Sequence, residues 1–156
     1  MKAKVYVETT VVSYLTARTT RDPVAVAHQT LTRGWRKRRK RFDLYCSQSV
    51  LREAGAGDAA AARRRLAALQ GVPLLDINDA VNELAAAIAQ TAELPKKANE
   101  DAIHIALATV HGMDYLLTWN CKHIANAAIR NVVAAVAYDH GYGAPVICTP
   151  EELMGE

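Results

Sequence analysis

An α/β domain built on a parallel sheet of about five strands is the fold this sequence predicts. Short apolar runs, β-branched in part, alternate with longer stretches of helical periodicity, the pattern of βαβ units. Most of the helical stretches open on a residue suited to capping. The 156 residues contain no low-complexity tract, internal repeat or long linker, so one domain, 1–156, is expected.

Lys4 to Val7 is the first strand, and Thr9 or Thr10 is placed to cap a helix carrying Val11, Val12, Tyr14 and Leu15. Asp22-Pro23 opens the second helix as cap and first helical residue; it runs through Val24, Ala27, Leu31 and Trp35 into a basic run. Phe42 to Cys46 is a second strand. Ser47 or Ser49 then caps a helix bearing Glu53 that ends at Gly55 and Gly57. Asp58 caps an Ala- and Arg-rich helix to Gln70, and Val72 to Asp76 is a brief third strand. Asp79 to Thr91 places Val81, Leu84, Ala85 and Ile88 at helical spacing. Leu94-Pro95 breaks the chain. The helix from Asn99 to His111 is apolar nearly all round, so a central position is expected, with Gly112 as its stop. Tyr115 to Thr118 is a fourth strand, an Ala-rich helix starts near Ile124, and Val146 to Cys148 is a fifth strand.

Half the residues are hydrophobic and 22% are charged, the balance of a soluble globular chain. No apolar run approaches the roughly 18 residues of a spanning helix, and Glu8 interrupts the N-terminal apolar stretch too early for a secretory leader. No membrane partner is expected. Three widely spaced cysteines, Cys46, Cys121 and Cys148, exclude a disulfide framework and fit a reducing, cytoplasmic setting. Cys121 and His123 lack a second ligand pair at zinc-finger spacing. The net charge of +3 is mild, but Arg36 to Arg41 is an unbroken basic run. It reads either as a solvated helix end or as a phosphate-contacting patch.

In an open parallel sheet, ligands bind beyond the C-terminal strand ends, where strand order reverses. Glu8 leaves the first strand and Thr118-Trp119-Asn120 leaves the fourth. Glu53 and Asp101 ride helices facing the same edge. Each has a plainer reading: Glu8 as a cap, Glu53 as a solvated acid, Asp101 as a partner of the helix dipole, Asn120 as a turn residue. His104, one turn beyond Asp101, reads as a core or rim residue sharing that face.

ETTVVSYLTAR, then SQSVLREAGAGD, then ANEDAIHIALATVHGMDYLLTWNCKHIANA together resemble the PIN-domain family, with VapC-type toxins as the nearest branch. The resemblance spans nearly the whole chain and is weakest between Arg18 and Arg41. It implies a three-layer α/β/α fold and a ribonuclease that uses Mg²⁺ or Mn²⁺ and leaves 5′-phosphate and 3′-hydroxyl ends. Carried over by position, the catalytic set becomes Glu8, Glu53, Asp101 and Asn120, with the three acids holding metal. Oxygen ligands suit a hard divalent cation, and Thr9 and Thr118 are candidates to support them by hydrogen bonds. Arg36, Lys37, Arg38, Arg39, Lys40, Arg41, Lys96 and Lys97 are candidate phosphate contacts, and Trp119 a candidate for base stacking. Arg52 and Arg63 to Arg65 read as solvated or antitoxin-facing. A small antitoxin and a homodimer are the implied protein partners, and RNA the substrate.

Two positions depart from the family pattern: Glu8 stands where Asp is usual, and Asn120 carries no charge. They motivate the alternative of a degenerate PIN domain that binds RNA or protein without cutting. An unrelated phosphate-binding α/β protein lacks support, since no glycine-rich phosphate loop is present.

Overall fold

Val5, Tyr6 and Val7 lie at the centre of the sheet and are almost wholly buried, as a strand covered by helices on both faces requires. The computed structural model describes residues 1–155, one short of the expected domain limit. Strand β1 (Ala3–Val7) is followed by α1 (Thr9–Thr16), α2 (Pro23–Lys37), a 3-10 turn at Arg39–Arg41 and β2 (Phe42–Ser47). Next come α3 (Gln48–Ala54), α4 (Ala59–Ala68), β3 (Leu74–Leu75) and α5 (Asp79–Thr91). A 3-10 turn at Lys96–Ala98 leads into α6 (Asn99–Val110), then β4 (Tyr115–Leu117), α7 (Ala127–Asp139) and β5 (Val146–Cys148).

The five strands are all parallel, in the order β3-β2-β1-β4-β5. The chain winds outward from β1 through β2 to β3, then returns to the other side of β1 for β4 and β5. Strand order therefore reverses between β1 and β4, with Val5 opposite Tyr115 and Val7 opposite Leu117. Right-handed crossovers made in opposite directions put the two helix sets on opposite faces. The principal helix packings respect that division, with α1 to α4 in one group and α5 to α7 in the other. The architecture is a three-layer α/β/α fold with seven α-helices among the described residues.

Helix α6 is the most buried helix because its small residues allow close approach; Ala102, Ala106 and Ala108 are buried with His104, Ile105 and Leu107. Its main partner is the Val81, Leu84, Ala85, Ile88 face of α5. Gly112, at φ +68°, supplies the left-handed residue that ends α6 and turns the chain toward β4. Among the described residues no helix is long and apolar enough to cross a membrane.

Several element ends shift by one or two residues from the sequence reading, and three differences have a clear structural cause. Glu8, not Thr9 or Thr10, caps α1, its carboxylate accepting from the Thr10 amide at 3.1 Å. Helix α7 starts at Ala127 on the Asn126 cap, because the Ile124 and Ala125 amides fold back onto the Asn120 carbonyl. β3 shortens to Leu74–Leu75, as only Cys46 and Ser47 of β2 pair with it.

Candidate functional site

The two strand ends that flank the reversal point carry Glu8 and Thr118, so topology alone brings them together across 110 residues. Glu8 is 3% exposed. Its Oε1 accepts from the hydroxyls of Thr10 and Thr118, both at 2.5 Å, while Oε2 accepts only the Thr10 amide. Thr10 also accepts the Trp119 amide at 2.8 Å, and Thr118 the Asn120 amide at 2.9 Å, so the same hydroxyls tie β1 to the loop after β4.

Glu53 arrives from α3, which starts directly from the end of β2 on a Ser47 cap. Thr9 donates to Glu53 Oε1 at 2.7 Å, and His104 Nε2 lies 2.6 Å from the same oxygen. Glu53 Oε2 has no hydrogen-bond partner among the described residues, and the side chain is 34% exposed. Behind it runs a buried polar chain: His104 Nδ1 meets the Tyr6 hydroxyl at 2.7 Å, and that hydroxyl meets Ser47 Oγ at 2.8 Å. Thus β1, β2, α3 and α6 are linked through one imidazole.

Asp101, in the first turn of α6, forms a second group with residues of the β4 loop. Its Oδ1 accepts from Asn120 Nδ2 at 3.0 Å, and its Oδ2 lies 3.1 Å from His123 Nδ1. Asn120 Oδ1 accepts the His123 amide at 3.0 Å. That amide can only donate, which fixes the orientation of the Asn120 side chain and turns its nitrogen to Asp101. Asn120 therefore positions the acid and has one lone pair of its oxygen already engaged.

Burial pushes the Glu8 carboxyl above its ordinary value, against the pull of His104 and of the Thr10 and Thr118 hydrogen bonds. Burial likewise raises Asp101, opposed by Asn120, His104 and His123. For Glu53 burial acts upward too, but the bond and charge of His104, with Thr9 and Arg52, bring it below its ordinary value. For His104 burial acts downward and is outweighed by the Glu53 bond and by the charges of Glu8, Glu53 and Asp101, so its pKa is raised. The same three carboxylates therefore favour the charged form of His104, against its burial.

Among the described residues, one group offers three ligand atoms all within 4.8 Å of one another: Glu8, Glu53 and His104. Asp101 lies outside that group. The donors suit a divalent cation, because Glu8 Oε2 and Glu53 Oε2 keep unshared lone pairs beside a costly buried charge. No family model, curated protein or solved structure matches the chain.

The basic run does not join this group. Arg36 and Lys37 end α2, and Arg39 to Arg41 form the turn entering β2, so the run lies at the N-terminal edge of the sheet. The acids lie at the C-terminal edge, about 17 Å away along the six residues of β2. Arg36 is also partly buried, which lowers its pKa, and it reaches toward the Ala68 carbonyl. Lys96 and Lys97, by contrast, are exposed just before the α6 N-terminus, on the acidic side.

Trp119 is not a free stacking surface. It is 9% exposed, one face stacks on His28 with centroids 3.9 Å apart, and its indole N–H donates to Thr32 at 2.7 Å. Sequence reasoning gave Thr10 only a capping role, weighed His123 only beside Cys121 as a zinc pair, and read His104 as a core or rim residue. Only the spacing Asp101-x-x-His104 hinted at a role, since the Tyr6 and Glu53 partners of His104 are distant in the chain.

Proposed function

We propose that this chain is a divalent-cation-dependent endoribonuclease of the VapC-like PIN type, acting with Mg²⁺ or Mn²⁺ and restrained by a small antitoxin. The carrying observation is the convergence of Glu8, Glu53, His104 and Asp101 at the C-terminal edge, where β1 and β4 part. Homodimerisation and a cytoplasmic setting belong to the same reading.

Glu8 and Glu53 would hold the cation through their Oε2 atoms, that of Glu8 keeping a lone pair beside the Thr10 amide, with Asp101 completing the acidic rim. A cation bound there supplies an acidified water and charge neutralisation on the scissile phosphate. Thr10 and Thr118 fix the Glu8 carboxylate, while Thr9 and His104 fix one oxygen of Glu53 and leave the other facing outward. Asn120 and His123 hold Asp101 from both sides. His123 meets Asp101 through Nδ1, which orients its ring toward the acidic rim.

Purified protein is expected to cleave single-stranded RNA with Mn²⁺, and Asp101→Asn to abolish cleavage. Undiminished cutting by that variant would overturn the assignment of Asp101. The second reading, an RNA- or protein-binding module without catalysis, draws on Asn120, which braces Asp101 without adding a charge. Calorimetry with Mn²⁺ separates the two: absence of cation binding alongside salt-sensitive RNA binding selects the second.

A further inference from the structure

A cleft of about 470 Å³ opens between α1 and α4, lined by Ser13, Thr16, Arg18, Asp58, Arg64 and Arg65 among others. Its lining contains none of the acidic-site residues, but two covalent neighbours connect it to them. Ser13 lies one helical turn, about 6 Å, beyond Thr9, and Thr9 donates to Glu53. Arg65 Nε donates at 2.8 Å to the carbonyl of Ala54, the neighbour of Glu53 in α3.

Two of its three guanidinium groups are held by backbone carbonyls. Arg64 donates through Nε to Thr16 at 3.1 Å, and Arg65 through a terminal nitrogen to Ala56 at 2.6 Å as well as to Ala54. Both retain unused N–H donors, and none of the ion pairs among the described residues engages Arg18, Arg64 or Arg65. Asp58 is the one acid in the lining, and it caps α4 by accepting the Ala61 amide. Three guanidiniums against one carboxylate leave the cleft formally +2. The hydroxyls of Ser13 and Thr16 donate into their own helix, so donors for a ligand come from the arginines.

We propose that this cleft is a phosphate subsite for single-stranded RNA, receiving a backbone phosphate next to the one at the Glu8, Glu53 centre. The assignment rests on the ribonuclease reading for its substrate, but not on catalysis for its test. Arginine offers planar paired donors that match phosphate oxygens. A docking protein segment would look instead for an apolar pocket to take an aromatic or aliphatic anchor, and the apolar side chains lining this cleft are small alanines such as Ala17, Ala60 and Ala61.

The test measures binding of a short fluorescent oligouridylate by anisotropy, in EDTA so that nothing is cut, across a salt series. Arg18 is exposed and makes no side-chain hydrogen bond among the described residues, so Arg18→Gln leaves the fold alone; the Arg18→Gln, Arg64→Gln pair then removes two contacts. For single strands each lost phosphate contact reduces the slope of log K against log salt by about 0.7. The expected reduction is therefore about 0.7 for the single variant and about 1.4 for the pair, with weaker binding at every salt concentration. Neutralising Arg39, Lys40 and Arg41 at the far sheet edge is expected to change neither quantity for so short a ligand. An unchanged slope in the pair overturns the subsite, as does equal competition by an acidic peptide of matched charge. If the arginine variants lose binding while the wild type cuts no RNA with Mn²⁺, the subsite stands and the catalytic reading falls.

Discussion

Replacing Glu8 by glutamine removes one charge from the centre while keeping side-chain length and volume. The amide oxygen can still accept the Thr10 amide, and its nitrogen can donate to the Thr10 and Thr118 hydroxyls, which rotate to suit. Because burial already disfavours the Glu8 carboxylate, the metal-free fold loses little. The cation, however, loses a charged ligand. At a hundred times its Kd a cation stabilises the wild type by about 2.7 kcal/mol. For a chain of this size that raises Tm by about 5 to 11 °C. Thermal melts with and without Mn²⁺ should show this rise in the wild type and less than about a quarter of it in Glu8→Gln. An equal Mn²⁺ shift in both proteins would refute the reasoning, because the cation would then be bound elsewhere.

Metal-free stability should fall as pH rises. The raised pKa of His104 contributes stability that is complete below about pH 6.5 and is lost as pH climbs through its folded value. Raised Glu8 and Asp101 act in the same direction from lower pH, whereas Glu53, lowered, loses its contribution only in acid. Urea midpoints at pH 6 and pH 8 in EDTA check the sign. Tyr6→Phe deletes the hydroxyl joining His104 to Ser47 and should cost about 1–3 kcal/mol in urea titrations. Glu8→Asp keeps the α1 cap but withdraws the carboxylate from Thr118; a roughly tenfold weaker Mn²⁺ affinity by calorimetry is the expected outcome. Leu116→Ala, in the centre of β4, should cost about 2–5 kcal/mol without moving Mn²⁺ affinity.

The fold was legible because its strands and helices announce themselves locally. β-branched runs, the Asp22 and Asp58 caps and Gly112 act within a few residues of where they stand. Glu8 was legible as an acid at a strand end with capping as its plainer reading; what local sequence could not show is that the same carboxylate also accepts from Thr118, 110 residues away. The role of His104 was hidden for a different reason. An imidazole in an apolar helix takes its meaning from Tyr6 and Glu53, which the chain delivers from 98 and 51 residues away. Trp119 misled because adjacency to Asn120 said nothing of its ring, which α2 covers with His28 and Thr32. The position of the basic run was available all along: residues that precede a parallel strand sit at the opposite edge from residues that follow one.

That separation gives the molecule two ends of opposite character along the strand axis. The two lie about 17 Å apart, farther than a ligand of one or two nucleotides reaches. On the ribonuclease reading, an RNA long enough to pass around the sheet would meet the basic run as well, and its second attachment would be intramolecular, governed by effective concentration rather than by bulk concentration. Length, and not sequence alone, would then set how tightly such a ligand is retained and how readily salt releases it.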